Sequence, residues 1–109
     1  MILDRIYAHI CAVISYCAEC ASLDEFQSSP MRVEACVFNL MQIGELAKNT
    51  LSDDAKNQIG SIPWKQIYGM RNRIVHGYSG VDMLIVWDTI RDDLPALGDE
   101  IKKHLDEQK

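Results

Sequence analysis

Within eight residues, Arg71-Asn72-Arg73-Ile74-Val75-His76-Gly77-Tyr78, the chain gathers two arginines, an asparagine, a histidine and a tyrosine. These residue types suit phosphate chemistry. A guanidinium stays protonated and forks onto phosphate oxygens, while an imidazole can carry or release a proton near neutral pH. Arg71 and His76 are therefore the candidate catalytic pair for cleaving a phosphodiester such as RNA. Asn72 is placed to hold the phosphate or the imidazole by hydrogen bonds.

Helical spacing supports part of this grouping. Asn72 and His76 are four apart and Arg73 and His76 three apart, so these side chains share a face, with Arg73 in a supporting position. Arg71 is five residues from His76, a rotation of about 140° at 100° per residue. It must reach round the helix or act where the helix frays. A two-fold dimer offers one remedy, because it brings two arginines and two histidines around one cleft. From spacing alone a structural role fits equally well. A histidine near a helix C-terminus is a favourable charge at the negative end of the dipole, and Tyr78 can simply cover the helix end.

Composition narrows the chemistry. The net charge is −5, which argues against indiscriminate nucleic-acid binding, since phosphate neutralisation needs clustered cations. The charges are unevenly spread: from Ala55 to Val81 there are four basic residues, Lys56, Lys65, Arg71 and Arg73, and no acid, so a positive strip lies in an acidic body. The nearest acid C-terminal to the motif is Asp82, and no carboxylate cluster accompanies it, which argues against a two-metal nuclease. Cys17 and Cys20 form a Cys-x-x-Cys, but no second pair completes a zinc site, so Cys11, Cys17, Cys20 and Cys36 are expected to be reduced thiols packed as small core residues. No metal or cofactor is expected.

The elements that must carry the motif read as helices. With 109 residues, 48% of them hydrophobic, the chain is long enough for one domain spanning residues 1–109 with a real core. Leu3, Ile6, Ile10, Val13, Ile14 and Cys17 repeat at three and four, predicting a first helix to about Cys20. Asp24 to Pro30 breaks the pattern. Ser28, Ser29 and Pro30 then offer cap and first-turn chemistry for a helix from about Pro30 to Asn49, with Val33, Val37, Leu40, Ile43 and Ala47 inward and Gly44 allowing a close approach. Ser52, Asp53 and Asp54 can cap a short third helix, closed by Gly60 and Pro63.

Trp64 to about His76 reads as the fourth helix, with Ile67, Met70 and Ile74 inward and Gly77 as its terminator. Asp82 caps a fifth, whose stripe is Met83, Val86, Trp87, Ile90, Leu94, Leu97, Ile101 and Leu105. Pro95 predicts a kink or break near Asp93. No stretch alternates like a strand, so the fold class is an all-α, up-and-down bundle of four to five helices. No run is long and apolar enough to span a membrane, and a soluble, unexported, cytoplasmic protein is expected.

The stretch "IYGMRNRIVHGYSGVDMLIVWDTIRDDLPAL", preceded by "NLMQIGELAKN", resembles the minimal HEPN family typified by the HepT toxins, and the likeness extends in weaker form from Ile2 to Leu105. Its diagnostic element is Arg-x4-His-x-Tyr, met by Arg71, His76 and Tyr78, with Asn72 as the polar residue that follows the arginine. Trp64, Gly69-Met70, Val81-Asp82 and Val86-Trp87 also match. The resemblance implies a helical homodimer with metal-independent endoribonuclease activity on RNA. It further implies a toxin-antitoxin partner, a minimal nucleotidyltransferase of the MntA type, which silences the toxin by transferring AMP to the motif tyrosine, here Tyr78. Glu45 matches a family position that would lie near the motif and orient Arg71.

Two other readings keep the same fold. One is a non-catalytic module that holds a nucleotide or RNA end for a partner nucleotidyltransferase. The other is a purely structural dimer in which Arg71 and His76 pair with acids such as Glu45.

Overall fold

The alternation of short apolar stripes with capping residues produces helices in the order the chain presents them. The computed structural model describes residues 2–49, 54, 64–65, 68–69, 71–72 and 82–107. Among them are α1 (Ile2–Tyr16), α2 (Leu23–Gln27), α3 (Pro30–Asn49), α4 (Met83–Asp88), a π-helical turn (Thr89–Asp93) and α5 (Leu94–Glu107). The described residues contain no strand, and the fold is all-α. Asp54, Trp64, Lys65, Tyr68, Gly69, Arg71 and Asn72 also have helical backbone. The bounds expected for the third and fourth helices, and the stripe residues Ile67, Met70 and Ile74, lie outside the described residues.

α1 and α3 form the antiparallel pair at the centre. His9 Nδ1 lies 2.7 Å from Asn39 Oδ1, whereas Arg32 Nε donates to the Tyr16 carbonyl at 3.1 Å, so the pairing runs in opposite senses along the two helices. Asn39 is a buried polar residue whose amide nitrogen donates to the Ala35 carbonyl at 2.7 Å. Its oxygen is thereby left to accept from His9, which satisfies both ends of a group that would be costly to bury unpaired. The α3 stripe read from the sequence, Val33, Val37, Leu40, Ile43 and Ala47, is buried in full. It meets Leu3, Ile6, Ile10 and Val13 of α1 and Val86, Ile90, Leu94, Leu97 and Ile101 of the C-terminal segment in one core. Gly98 lets α5 approach α1, because a Cβ there would stand 3.2 Å from Ile10 Cγ2.

Four expectations need correction. The first helix ends at Tyr16, not near Cys20; hydrogen bonds from Ala18 to Ser15 and from Cys20 to Cys17 tighten the chain into turns. Ile14 and Cys11 are exposed, because α1 turns only the Leu3, Ile6, Ile10, Val13 side inward. The segment after Asp24 is not simply irregular but holds most of α2. Ser22 caps that helix, accepting from the Glu25 N–H at 3.2 Å, in a Ser-x-x-Glu spacing that announces a helix start. Its five residues are too few to show a period, yet Phe26 is fully buried and stacks on Trp87 with ring centroids 5.5 Å apart.

The fourth correction concerns Pro95. The interruption expected near Asp93 is there, but its form is a π turn and not a break, with the Leu94 N–H bonded to the Thr89 carbonyl five residues back. Proline has no N–H to give and its ring crowds the carbonyl four residues earlier, so the wider turn carries the chain past that crowding without ending the helix.

Capping joins the elements. Ser29 accepts from the Arg32 N–H at 3.2 Å with Pro30 in the first turn of α3, as the sequence predicts. The Arg32 guanidinium also donates to the Glu25 carbonyl at 3.0 Å. One side chain therefore covers carbonyls at the C-terminal ends of both α1 and α2. No described helix is long and apolar enough to cross a membrane.

Phe26 offers the direct test of how much α2 contributes. Phe26→Ala should lower unfolding free energy by about 3–5 kcal/mol, as for other fully buried aromatics. An unchanged urea midpoint would show that α2 does not belong to the cooperative core.

Candidate active site

α3 positions the site because its inward stripe is fixed in the core while its next face stays partly open. Ile43 and Ala47 are buried, and between them Gly44 and Glu45 turn toward the segment that bears the motif. Among the described residues of that segment, the side chains of Tyr68 and Arg71 reach α3. The Tyr68 hydroxyl donates to the Ala47 carbonyl at 3.4 Å, near the end of the helix. Arg71 packs over Gly44: a Cβ on that glycine would stand 2.6 Å from Arg71 Cβ and 2.8 Å from Cγ, distances no pair of carbons tolerates. The close approach expected at Gly44 is thus filled by the aliphatic stem of Arg71.

That packing delivers the guanidinium to Glu45. Arg71 Nε donates to Glu45 Oε1 at 2.6 Å, and Arg71 Nη2 donates to the same oxygen. Arg71 Nη1 donates to Asn72 Oδ1 at 2.9 Å. The arginine side chain is 18% exposed and the glutamate 34%. Burial of the cation is compensated by the carboxylate, and the pair still reaches solvent. A guanidinium carries five N–H donors in a fixed plane. Three are taken here, so each terminal nitrogen keeps one N–H without a partner among the described residues. The plane is held by its side edge, and two N–H donors, one on each terminal nitrogen, are left for an acceptor such as a phosphate.

Of the residues singled out from the sequence, the structure brings Arg71, Asn72 and Glu45 together. Arg73, His76 and Tyr78 lie outside the described residues. Two positioning features were not read from the sequence: the Tyr68 hydroxyl on the end of α3, and the arginine stem as the occupant over Gly44. An aromatic with a polar tip three residues before Arg71, hence on the same helical face, was the available signal for the first. Among the described residues no group of three histidine, cysteine or acidic side chains is arranged to hold a metal ion.

Comparison with known proteins gives this geometry a family. The model of the family described as "Ribonuclease HepT-like" matches residues 6–104. The chain is 36% identical over 88 residues to the protein named Putative RNase TTE0752 of Caldanaerobacter subterraneus subsp. tengcongensis, covering 81% of this chain and 78% of that one. It is 30% identical over 79 residues to the Methanocaldococcus jannaschii protein named Putative RNase MJ1380, 72% of each chain. It is also 38% identical over 61 residues to a Thermococcus cleftensis protein named Probable ribonuclease HepT, covering 56% of this chain and 54% of that one. No solved structure gives a significant match. A family match over residues 6–104, a range that includes Glu45 and Arg71, means that this protein belongs to the HepT-like ribonuclease family.

Proposed function

We propose that the protein is a metal-independent endoribonuclease whose transition state is stabilised by Arg71. The observation that carries this reading is the guanidinium clamped on one edge by Glu45, with two N–H donors left without a partner among the described residues and part of the side chain exposed. In the reaction, the RNA 2'-hydroxyl attacks the adjacent phosphorus and the bond to the 5'-oxygen breaks, leaving a 2',3'-cyclic phosphate. Arg71 meets the charge that builds on the phosphoryl oxygens, an interaction that costs little reorganisation because Glu45 has already set the plane. His76 takes the 2'-proton or supplies the proton to the leaving oxygen. Asn72 holds Arg71 by its side-chain carbonyl and helps fix the phosphate, with Arg73 adding positive charge nearby.

The protein acts as a homodimer in this reading, with the two copies of His76 sharing the acid and base roles. An apolar stripe on the outer face of α3 supports a seam next to the site. Met31 is 76% exposed and Phe38 57%, each seven residues from the next, and Glu45 follows seven further on. Residues seven apart fall on nearly the same line of a helix, so the stripe runs up to the Glu45–Arg71 pair.

The biological role we propose is the toxin of a toxin-antitoxin pair, in the cytoplasm, silenced by a nucleotidyltransferase of the MntA type that adenylylates Tyr78. An AMP group there adds a negative phosphate and a bulky base beside a cleft that must receive anionic RNA.

His76→Ala and Arg71→Ala should each lower single-turnover RNA cleavage by roughly 10²–10⁴-fold while leaving the thermal unfolding of the His76 variant near wild type. Cleavage should persist in EDTA. Unaltered rates in the His76 variant, or loss of activity on chelation, would remove this mechanism.

Gly44→Ala separates positioning from chemistry. The added methyl has to displace Arg71 near its Cα, so the variant should fold, lose cleavage by at least tenfold and respond in kcat more than in KM. A fully active alanine variant would mean that the packing of the arginine stem does not set the site.

Tyr78→Phe should remain toxic when the nucleotidyltransferase is co-expressed, and its mass should show no added AMP. Full neutralisation of that variant would exclude Tyr78 as the modified residue.

A further inference from the structure

Ribonuclease chemistry makes no use of the thiols at the other end of the α1–α3 pair. Cys17, in the turn that follows α1, and Cys36, on α3, face each other with their sulfurs 3.5 Å apart. Cys36 is fully buried and Cys17 nearly so. Cys17 nevertheless lines a cleft of 170 Å³ between the end of α1 and the π turn, together with Ile14, Cys20, Trp87 and Pro95. Ile14, exposed on the outer side of α1, forms part of its wall. One thiol of the pair thus borders a solvent-connected cleft and the other stands directly behind it, in van der Waals contact.

We propose that Cys17 and Cys36 are a dithiol oxidation site that a small hydroperoxide, entering through the cleft, converts to a disulfide between the end of α1 and α3. The hydroperoxide O–O bond breaks as the Cys17 sulfur takes one oxygen, giving a sulfenic acid and an alcohol, or water if the oxidant is hydrogen peroxide. The Cys36 sulfur then attacks the Cys17 sulfur; the S–S bond forms, the S–O bond breaks, and hydroxide leaves with the Cys36 proton as water. Two thiols are oxidised and one peroxide is reduced, with no further reactant. Closing from 3.5 Å to a bond of about 2.05 Å asks each sulfur to move by less than an ångström or so.

Burial and the mutual contact push the Cys36 thiol up, and burial also raises Cys17. Thiolate is therefore scarce at neutral pH, and oxidation should be slow there and faster toward alkaline pH. Cys20 borders the same cleft and is only half-buried, so it is the competitor that the experiment must resolve.

Reduced wild-type protein is treated with tert-butyl hydroperoxide at pH 8.5, the remaining thiols are alkylated, and tryptic peptides are mapped without reduction. Cleavage after Arg5, Arg32 and Lys48 puts Cys11, Cys17 and Cys20 on peptide 6–32 and Cys36 on peptide 33–48. The expected product is these two peptides joined, with fragmentation placing the bond at Cys17 and both Cys11 and Cys20 alkylated. Oxidised protein should also melt roughly 5–15 °C higher than reduced, since the bond closes the loop containing α2. The joined peptide should persist in Cys20→Ser and vanish in Cys36→Ser. A bond at Cys11 or Cys20, products confined to sulfinic acid, or an intact pair of thiols after Cys20 has been consumed would each overturn the assignment. Because fragmentation of the wild type locates the bond, the result does not depend on either variant folding, and it is independent of whether the chain cleaves RNA.

Discussion

A cation with most of its surface removed from water must be given back what it loses, and the Glu45 carboxylate does this for Arg71. The oxygen that accepts from both Nε and Nη2 compensates the desolvation of the guanidinium and at the same time fixes its plane. A lysine could meet the same charge requirement but not the geometric one, because an ammonium on a flexible stem has no edge to be held by and none to leave free. Deleting only the carboxylate would leave a partly buried charge unpaired, which costs more than losing the pair as a whole. Both partners keep some contact with solvent, so the penalty is smaller than for a sealed pair. The pair is better understood as an orienting device than as a source of stability.

The rest of the fold works toward that orientation. α3 can present Glu45 at a fixed height because its opposite face is buried from Val33 to Ala47, and because Arg32 at its start binds the ends of α1 and α2. Bare backbone at Gly44 brings the arginine stem within contact, so the guanidinium needs no extended, mobile reach to find its partner. The Tyr68 hydroxyl on the Ala47 carbonyl adds a second tie between the motif segment and α3. It answers one of the carbonyls that a helix leaves without an intrahelical partner in its last turn.

What could be read from the sequence follows from what each signal depends on. The stripes of α1, α3 and α5 depend on periodic burial, and a period of three and four over 14 or more residues is unmistakable; of the apolar positions assigned to α3, all five are buried. α2 escaped because five residues hold barely more than one turn, and the stacking of its fully buried Phe26 on Trp87 is made with a residue 61 positions away. The behaviour at Pro95 was only half legible: proline forbids the ordinary turn, but whether a helix kinks, stops or widens is decided by what packs against it. Ile90 and Leu94, which flank the Arg91 carbonyl that the proline ring crowds, are both buried in the core, and the widened turn accommodates the ring with both in place. At the site, residue types nominated Arg71 and Asn72, and the placement of Glu45 came from family resemblance alone. No local pattern links positions 26 residues apart.

Charge placement explains how an acidic chain can still be read as one that receives RNA. From Asp82 to Glu107 there are eight acidic residues against three basic ones, and Arg91 is engaged by Asp88 and Asp92. These exposed pairs contribute little to stability, but the surplus acids make this side of the bundle repel a polyanion. The segment from Ala55 to Val81 has no acid at all, so the cations there face no competing negative charge in their own sequence. In the proposed reading, a substrate is turned away from the C-terminal helices and admitted where the guanidinium stands. Neutralising a few phosphates locally then suffices, and affinity for nucleic acid in general stays low. A single fixed arginine is more useful in such a setting than a broad basic surface, since binding that is equal for ground state and transition state would not speed the reaction.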